Sequence, residues 1–206
     1  KILQVEIPWE SLVEKAIKTN TIMKPDERCW RILNKYYIPH NITLPGYSTI
    51  EEQEGTGTLI VVVDSSGSIS ERNLKQFAGV IEMSMKYFKF IIVLVHDDIV
   101  HQTKTFNKDD IYQFYEFIKK VGFKGRGGTS HKDVFQKIET DYWEKDKDDL
   151  SMVISLTDMY SDVPYIYKNF NWIKNNLPLV FIITNNGKIA ELDKSFGDID
   201  QIVINN

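Results

Sequence analysis

The residues best suited to chemistry in this chain gather where apolar runs end. Leu59–Val63 is an uninterrupted, largely β-branched run that gives way abruptly to Asp64-Ser65-Ser66-Gly67-Ser68. Asp64, Ser66 and Ser68 alternate, so an extended Asp-x-Ser-x-Ser turn can aim one carboxylate and two hydroxyls at a single point. Such oxygen ligands are hard, suited to magnesium, manganese or calcium and poor for zinc. The plainer alternative is a strand end with a serine-rich helix cap, and the full Asp-Ser-Ser-Gly-Ser after an apolar run favours ligation over it. Gly67 is expected to let the backbone turn sharply, and Ser70 before Glu71 to cap a helix. A second apolar run, Met152–Leu156, ends in Thr157-Asp158, and a glycine-rich loop, Gly122 to Gly128, leads into Thr129, Ser130 and His131.

The elements around these residues explain how they could meet. Short apolar or nearly apolar runs read as strands of a mainly parallel sheet: Leu59–Val63, Phe90–Val95, Met152–Leu156, Leu179–Ile183 and Ile202–Ile204. Ile99–Phe106 is more polar and fits an edge strand. Helical spacing of three and four links Leu74 to Phe88, then Ile111 to Ile118 after Asp109, then Val134 to Ile138, then Val163 to Ile173. Alternating strands and helices give an α/β fold, a doubly wound, mainly parallel sheet. In the order 3-2-1-4-5-6, the strands ending in Asp64 and Asp158 are neighbours at the switch point, where ligands bind such sheets. Thr129 precedes the helix that feeds the Asp158 strand, so a crossover starting above the sheet can bring it to the same crevice.

Residues 1–57 differ from residues 58–206. Pro8 opens a helix at its first position, with Trp9, Leu12, Val13, Ala16 and Ile17 on one face. Leu44-Pro45-Gly46 reads as a turn. This helical and aromatic arm is expected to pack on the domain of residues 58–206. The whole is 206 residues, 42% hydrophobic and 26% charged, ordinary values for a soluble protein. Its net charge of −4 argues against nucleic acid as the main partner. Cys29 is the only cysteine, which excludes an internal disulfide and fits a reducing compartment such as the cytoplasm. No apolar run reaches membrane-spanning length, and a start at Lys1 reads as a fragment or a processed product.

Three motifs carry a resemblance. Asp64-Ser65-Ser66-Gly67-Ser68, Gly127-Gly128-Thr129-Ser130 and Leu156-Thr157-Asp158 fall in the order found in the von Willebrand factor A (VWA) family with its metal-ion-dependent adhesion site. That resemblance implies a magnesium site (manganese or calcium as substitutes) formed by Asp64, Ser66, Ser68, Thr129 and Asp158. Met159 departs from it, because the family usually has glycine after the last aspartate. With the Pro8-Trp9 helix, the Trp30 region and Leu44-Pro45-Gly46, the chain more finely resembles the carboxy-terminal VWA-like domain of proteins that carry a metallopeptidase-like domain upstream. Those proteins are often associated with MoxR-type AAA+ ATPases.

Enzymatic readings fare worse. His40, His96, His101 and His131 form no His-Glu-x-x-His pair, and the glycine-rich loop lacks a Gly-Lys-Ser/Thr ending. Ser66 and Ser68 lack a Gly-x-Ser-x-Gly frame. The expectation is a binding module and not an enzyme: one divalent cation, completed by an Asp or Glu from a partner protein, with a MoxR-type ATPase as the partner the resemblance implies. The alternative is a regulatory or substrate-presenting part of a larger metallopeptidase-like hydrolase. Asp97 and Asp98 read as a solvated strand end, Asp162 as a helix cap, and Lys124 and Arg126 as surface charge.

Overall fold

The structure, a computed structural model, describes residues 9–20, 28–33, 45–47, 57–107, 109–121, 127–193 and 195–204. In chain order the elements are α1 (Trp9–Asn20), β1 (Arg28–Leu33), β2 (Pro45–Tyr47), β3 (Thr58–Asp64), α2 (Glu71–Ser84), β4 (Phe90–His96), β5 (Val100–Asn107), α3 (Ile111–Val121) and α4 (Lys132–Lys137). A π-helical stretch, Ile138–Trp143, follows, then α5 (Glu144–Asp146), β6 (Leu150–Thr157), α6 (Val163–Ile166), a 3₁₀ turn at Tyr167–Asn169, α7 (Asn171–Lys174), β7 (Leu179–Ile183) and β8 (Ile199–Val203). Pro8, His40, Leu44, Lys124 and Arg126 lie outside the described residues.

Six strands form one sheet in the order β5-β4-β3-β6-β7-β8, which is 3-2-1-4-5-6 counted from β3. Every neighbouring pair is parallel except β4–β5, whose antiparallel register puts the polar strand at the edge. Alternation along the strands divides the core. Leu59, Val61 and Val63 face a layer that includes Phe77, Val80 and Ile81 of α2, Phe114 of α3, and Val13 and Ile17 of α1. Ile60 and Val62 face Val134, Phe135, Ile138, Val163, Trp172 and Ile173 on the other side. With both faces covered, a polar side chain on β3 or β6 has an outlet only at the strand ends, and there the candidate ligands sit. Among the described residues, no helix is long and apolar enough to cross a membrane.

Several local expectations need correction. Pro45-Gly46 is not a turn: it begins β2, which pairs antiparallel with β1 through Cys29↔Gly46 and Arg28↔Tyr47. Proline is tolerated as the first residue of such a strand, and a three-residue strand is too short to show a period. The apolar spacing from Val163 to Ile173 does not mark one helix, because Phe170 is extended (φ −105°, ψ 129°) and breaks it. The last strand is Ile199–Val203, earlier than Ile202–Ile204.

The break is held from the π-helical stretch. Buried Glu139 accepts hydrogen bonds from Asn171 Nδ2 (2.7 Å), Trp172 N (3.2 Å) and Asn171 N (3.3 Å). Its charge sits at the start of α7 and satisfies two backbone donors there. Glu139→Ala leaves those donors without an acceptor and is expected to lower stability by about 2–3 kcal/mol, read as a fall in the urea midpoint; Glu139→Gln, which keeps one acceptor, should lose less.

Candidate metal centre

Asp64 ends β3 with its side chain fully buried. Its Oδ1 accepts the Ser66 N–H (2.8 Å) and its Oδ2 accepts the Thr157 hydroxyl (2.8 Å). Ser65 points inward and bonds the His96 carbonyl with both its N–H (2.8 Å) and its hydroxyl (2.9 Å), clamping the ends of β3 and β4 together. Ser66 Oγ and Ser68 Oγ lie 3.1 Å apart, with Ser68 exposed. Ser70 caps α2 as expected, accepting the Asn73 N–H at 3.2 Å. Gly67 is not required for the turn: its φ is not left-handed, and a Cβ there would meet nothing within 4 Å.

The second strand end is tied to the first through a residue whose role the sequence did not reveal. Val63 pairs with Leu156, so Thr157 comes beside Asp64. The Thr157 hydroxyl donates to Asp64 and accepts the Met159 N–H (3.1 Å). Asp158 Oδ1 accepts the Tyr160 N–H (3.0 Å) and its carbonyl accepts the Lys188 N–H (2.9 Å). Asp158 and Ser68 line one polar cleft of about 370 Å³, together with Arg72, Asn73 and Asn185. Met159 has φ +63° and is buried. A left-handed residue here is the physical reason glycine suits the position.

Thr129 is half-buried and lines the neighbouring cleft with Met159 and Tyr160. It makes no hydrogen bond to the other four candidates among the described residues. Its loop is braced on both sides. Ser130 N donates to the Asp97 carbonyl (3.1 Å), Ser130 Oγ to Asp162 Oδ2 (2.7 Å), and His131 N to Asp162 Oδ1 (2.8 Å). Asp162 therefore stands at the cap position of α6 but does not cap it with its side chain. A sequence signal for this brace is lacking, since its partners lie more than 30 residues away. A Cβ on Gly128 would come within 3.0 Å of Asp98 Oδ1, so the loop's approach to that strand end uses the missing side chain. Asp97 is not solvated: it is buried and accepts from Asp98 N, Ile99 N and His101 Nε2 (2.5, 3.3 and 2.7 Å), while Asp98 is exposed.

Charge at the centre is unbalanced. Burial pushes the Asp64 carboxyl above its ordinary range, against hydrogen bonds from Ser66 and Thr157. No lysine or arginine is among the largest influences on it. The nearby His96 is pushed down by burial, against the attraction of Asp64. His131 lies well below the ordinary range, through burial and then the proximity of His96. The two rings meet edge-on at 4.7 Å. His96 Nδ1 donates to the Asp97 carbonyl (3.0 Å) and His131 Nε2 lies 3.3 Å from Ser155 Oγ, leaving His96 Nε2 and His131 Nδ1 without a partner. The hydrogen bonds to Asp64 come from neutral donors, Ser66 and Thr157, and a buried carboxylate held in that way fits a cation. The oxygen-only donor set fits a hard one. Among the described residues no three His, Cys, Asp or Glu side chains gather into a metal cluster; the candidate set here holds two carboxylates and three hydroxyls.

Two expectations follow from these positions. At Met159, alanine should lower stability by about 2–4 kcal/mol through lost burial. Glycine should lower it by about 1 kcal/mol less than alanine, because it takes the left-handed φ without a Cβ clash; denaturant midpoints of the two variants check the order. The histidine pair sets the pH response. Below an unfolded pKa of about 6.5 the unfolded chain binds protons that the buried rings refuse, so stability falls on acidification by up to about 1.4 kcal/mol per pH unit per histidine. Urea midpoints at pH 7.5 and 5.5 should show that fall, and His131→Gln should flatten it.

Residues 59–199 match the family described as VWA-like domain (DUF2201). None of the curated proteins matches the chain. A six-stranded sheet in the order 3-2-1-4-5-6, flanked by helices on both faces, is the architecture that match leads one to expect. The chain belongs to the VWA-like domain (DUF2201) family.

Proposed function

We propose that this domain is a divalent-metal-dependent protein-binding module, with magnesium held by Asp64, Ser66, Ser68, Thr129 and Asp158. The observation that carries the reading is Asp64: a buried carboxylate with neutral donors only, at the carboxyl edge of the sheet. When bound, the ion supplies an electrophilic position for a carboxylate from another protein. The chain's own residues do the rest. Ser66 and Thr157 fix the orientation of Asp64 through its two oxygens. Tyr160 N–H fixes Asp158 through Oδ1, leaving Oδ2 for a ligand. The Asp162 brace holds the loop that presents Thr129. Two carboxylates offset the divalent charge and the three hydroxyls add none, so with five protein oxygens an octahedral ion would keep one position that a partner's acidic side chain could take in place of water. A VWA-like domain suggests protein interaction, and the resemblance of the sequence points to a MoxR-type AAA+ ATPase in the cytoplasm as the partner, with this chain an adaptor that has no catalysis of its own.

Calorimetric titration should show binding of magnesium or manganese in preference to zinc. Saturating magnesium should raise the melting temperature, worth about 2.7 kcal/mol at a hundredfold excess over Kd. Asp64→Asn keeps an acceptor for the buried donors, so it should fold yet lose the magnesium response, as should Asp158→Ala. Tight zinc binding, or a magnesium response intact in both variants, would overturn the site.

A further inference from the structure

Between the first turn of α2, the Asp158 loop and the carboxyl end of β7 lies the polar cleft of about 370 Å³. At about 30 Å³ for each water, it has room for one side chain and a few waters. Asn73, Asp158 and Thr184 line it and are only 8%, 4% and 2% exposed. Main-chain bonds fix the walls. Asn73 N donates to the Ser70 hydroxyl oxygen (3.2 Å), and Thr184 N to the Thr157 carbonyl (3.1 Å). The side chains of these two residues are left over. Among the described residues, neither the Asn73 carboxamide nor the Thr184 hydroxyl makes a hydrogen bond. Nor are they sealed in: the buried side-chain atoms without a partner are His96 Nε2 and His131 Nδ1. Asn73 and Thr184 therefore open onto space, and the space they line is this cleft. Polar side chains so deeply buried are nearly always paired, so the two point to a ligand.

Charge does not choose that ligand. Arg72 and Asp158 are the charged residues of the lining, and their signs are opposite. Arg72 is exposed, where solvent screens it, and Asp158 already accepts the Tyr160 N–H. The buried neutral groups decide, because a desolvated donor or acceptor left unpaired is the costly one. A carboxamide sets a carbonyl acceptor beside an NH2 donor. A carboxylate satisfies only the donor of Asn73, and an ammonium only its acceptor. A second primary carboxamide satisfies both at once, N–H to C=O in each direction. A main-chain amide does not, since in a trans peptide the N–H and C=O point opposite ways. The Thr184 hydroxyl both donates and accepts, which suits the same neutral group.

We propose that this cleft binds an uncharged primary carboxamide, the side chain of an asparagine or glutamine carried by the partner protein. The site itself needs no ion. The inference rests on the proposed function only in taking the partner to be a protein.

Nuclear magnetic resonance on the isotope-labelled chain tests it, with acetamide, N-methylacetamide, acetate and glycerol as probes, each titrated in magnesium and in EDTA. Acetamide should shift the Asn73 side-chain NH2 and the Thr184 amide saturably, and equally in both buffers. The other three probes should bind at least about fivefold more weakly. Asn73→Ala and Thr184→Val should each weaken acetamide by about tenfold. Both variants spare the fold: alanine suits a helix better than asparagine, and valine keeps the shape of Thr184. Acetate binding more tightly than acetamide, or N-methylacetamide or glycerol binding as well, would overturn the carboxamide assignment. Acetamide binding that needs magnesium would place the amide on the ion and overturn the cleft, as would the absence of a saturable shift or full affinity in both variants. Failure of the metal reading shows separately, as a missing magnesium response in calorimetry while acetamide still binds in EDTA; that result supports the cleft as a site of its own.

Discussion

The hydrogen bond from Thr157 to Asp64 is the contact on which the arrangement at the sheet's edge depends. β3 and β6 are buried along their whole lengths, and apart from Thr58, Ser151 and Ser155 they are apolar until their carboxyl ends. Parallel pairing brings the two ends level, and the hydroxyl then joins them with one 2.8 Å bond. It also fixes the next turn, by accepting the Met159 N–H. A buried carboxylate without a counter-charge is tolerated only when its oxygens are hydrogen-bonded. Asp64 has its two bonds, and both come from neutral donors. The result is a negative site that is geometrically settled and electrostatically unfinished.

The same edge is organised a second time, at one remove from Asp64. Asp162 takes the Ser130 hydroxyl and the His131 N–H, which sets the entry to α4 and the position of Thr129 in the cleft it shares with Met159 and Tyr160. His131 then lies under that loop, ringed by His96, Phe135 and Phe181. Burial, and then the proximity of His96, hold its pKa well below the ordinary range.

The sheet was legible in the sequence because a strand buried on both faces is written as an apolar run; Leu59–Val63 and Leu179–Ile183 are continuous ones, and Met152–Leu156 is broken only by Ser155. Where those runs stop, Asp64 and Asp158 were legible too, since a charged residue after a buried strand has an outlet only at its end. What could not be read was every contact joining distant residues of weak local pattern. Thr157 looked like one more hydroxyl, Asp162 like a helix cap, and Asp97 like a solvated acid, while their actual partners are set by tertiary packing. β2 escaped for a different reason, because three residues beginning with proline carry turn chemistry and no period. The continuous helix expected from Val163 to Ile173 failed because apolar spacing records burial and is indifferent to whether the backbone between the buried residues is unbroken.

Met159 shows how a departure from a motif can be absorbed by packing. A left-handed φ on a residue with a Cβ costs about 1–2 kcal/mol, so methionine at φ +63° is at odds with local preference. Its side chain is only 2% exposed and joins the core cluster that includes Val163 and Ile183. Full burial of a methionine contributes about 1.5–3 kcal/mol, which is enough to offset the backbone term. Glycine would relieve the backbone but contribute nothing to that cluster, and nothing to the wall shared by Thr129 and Tyr160. The residue that breaks the motif therefore fastens the Asp158 loop to the core and shapes the adjoining cleft, so this chain trades a relaxed turn for a firmer surface beside its candidate ligands.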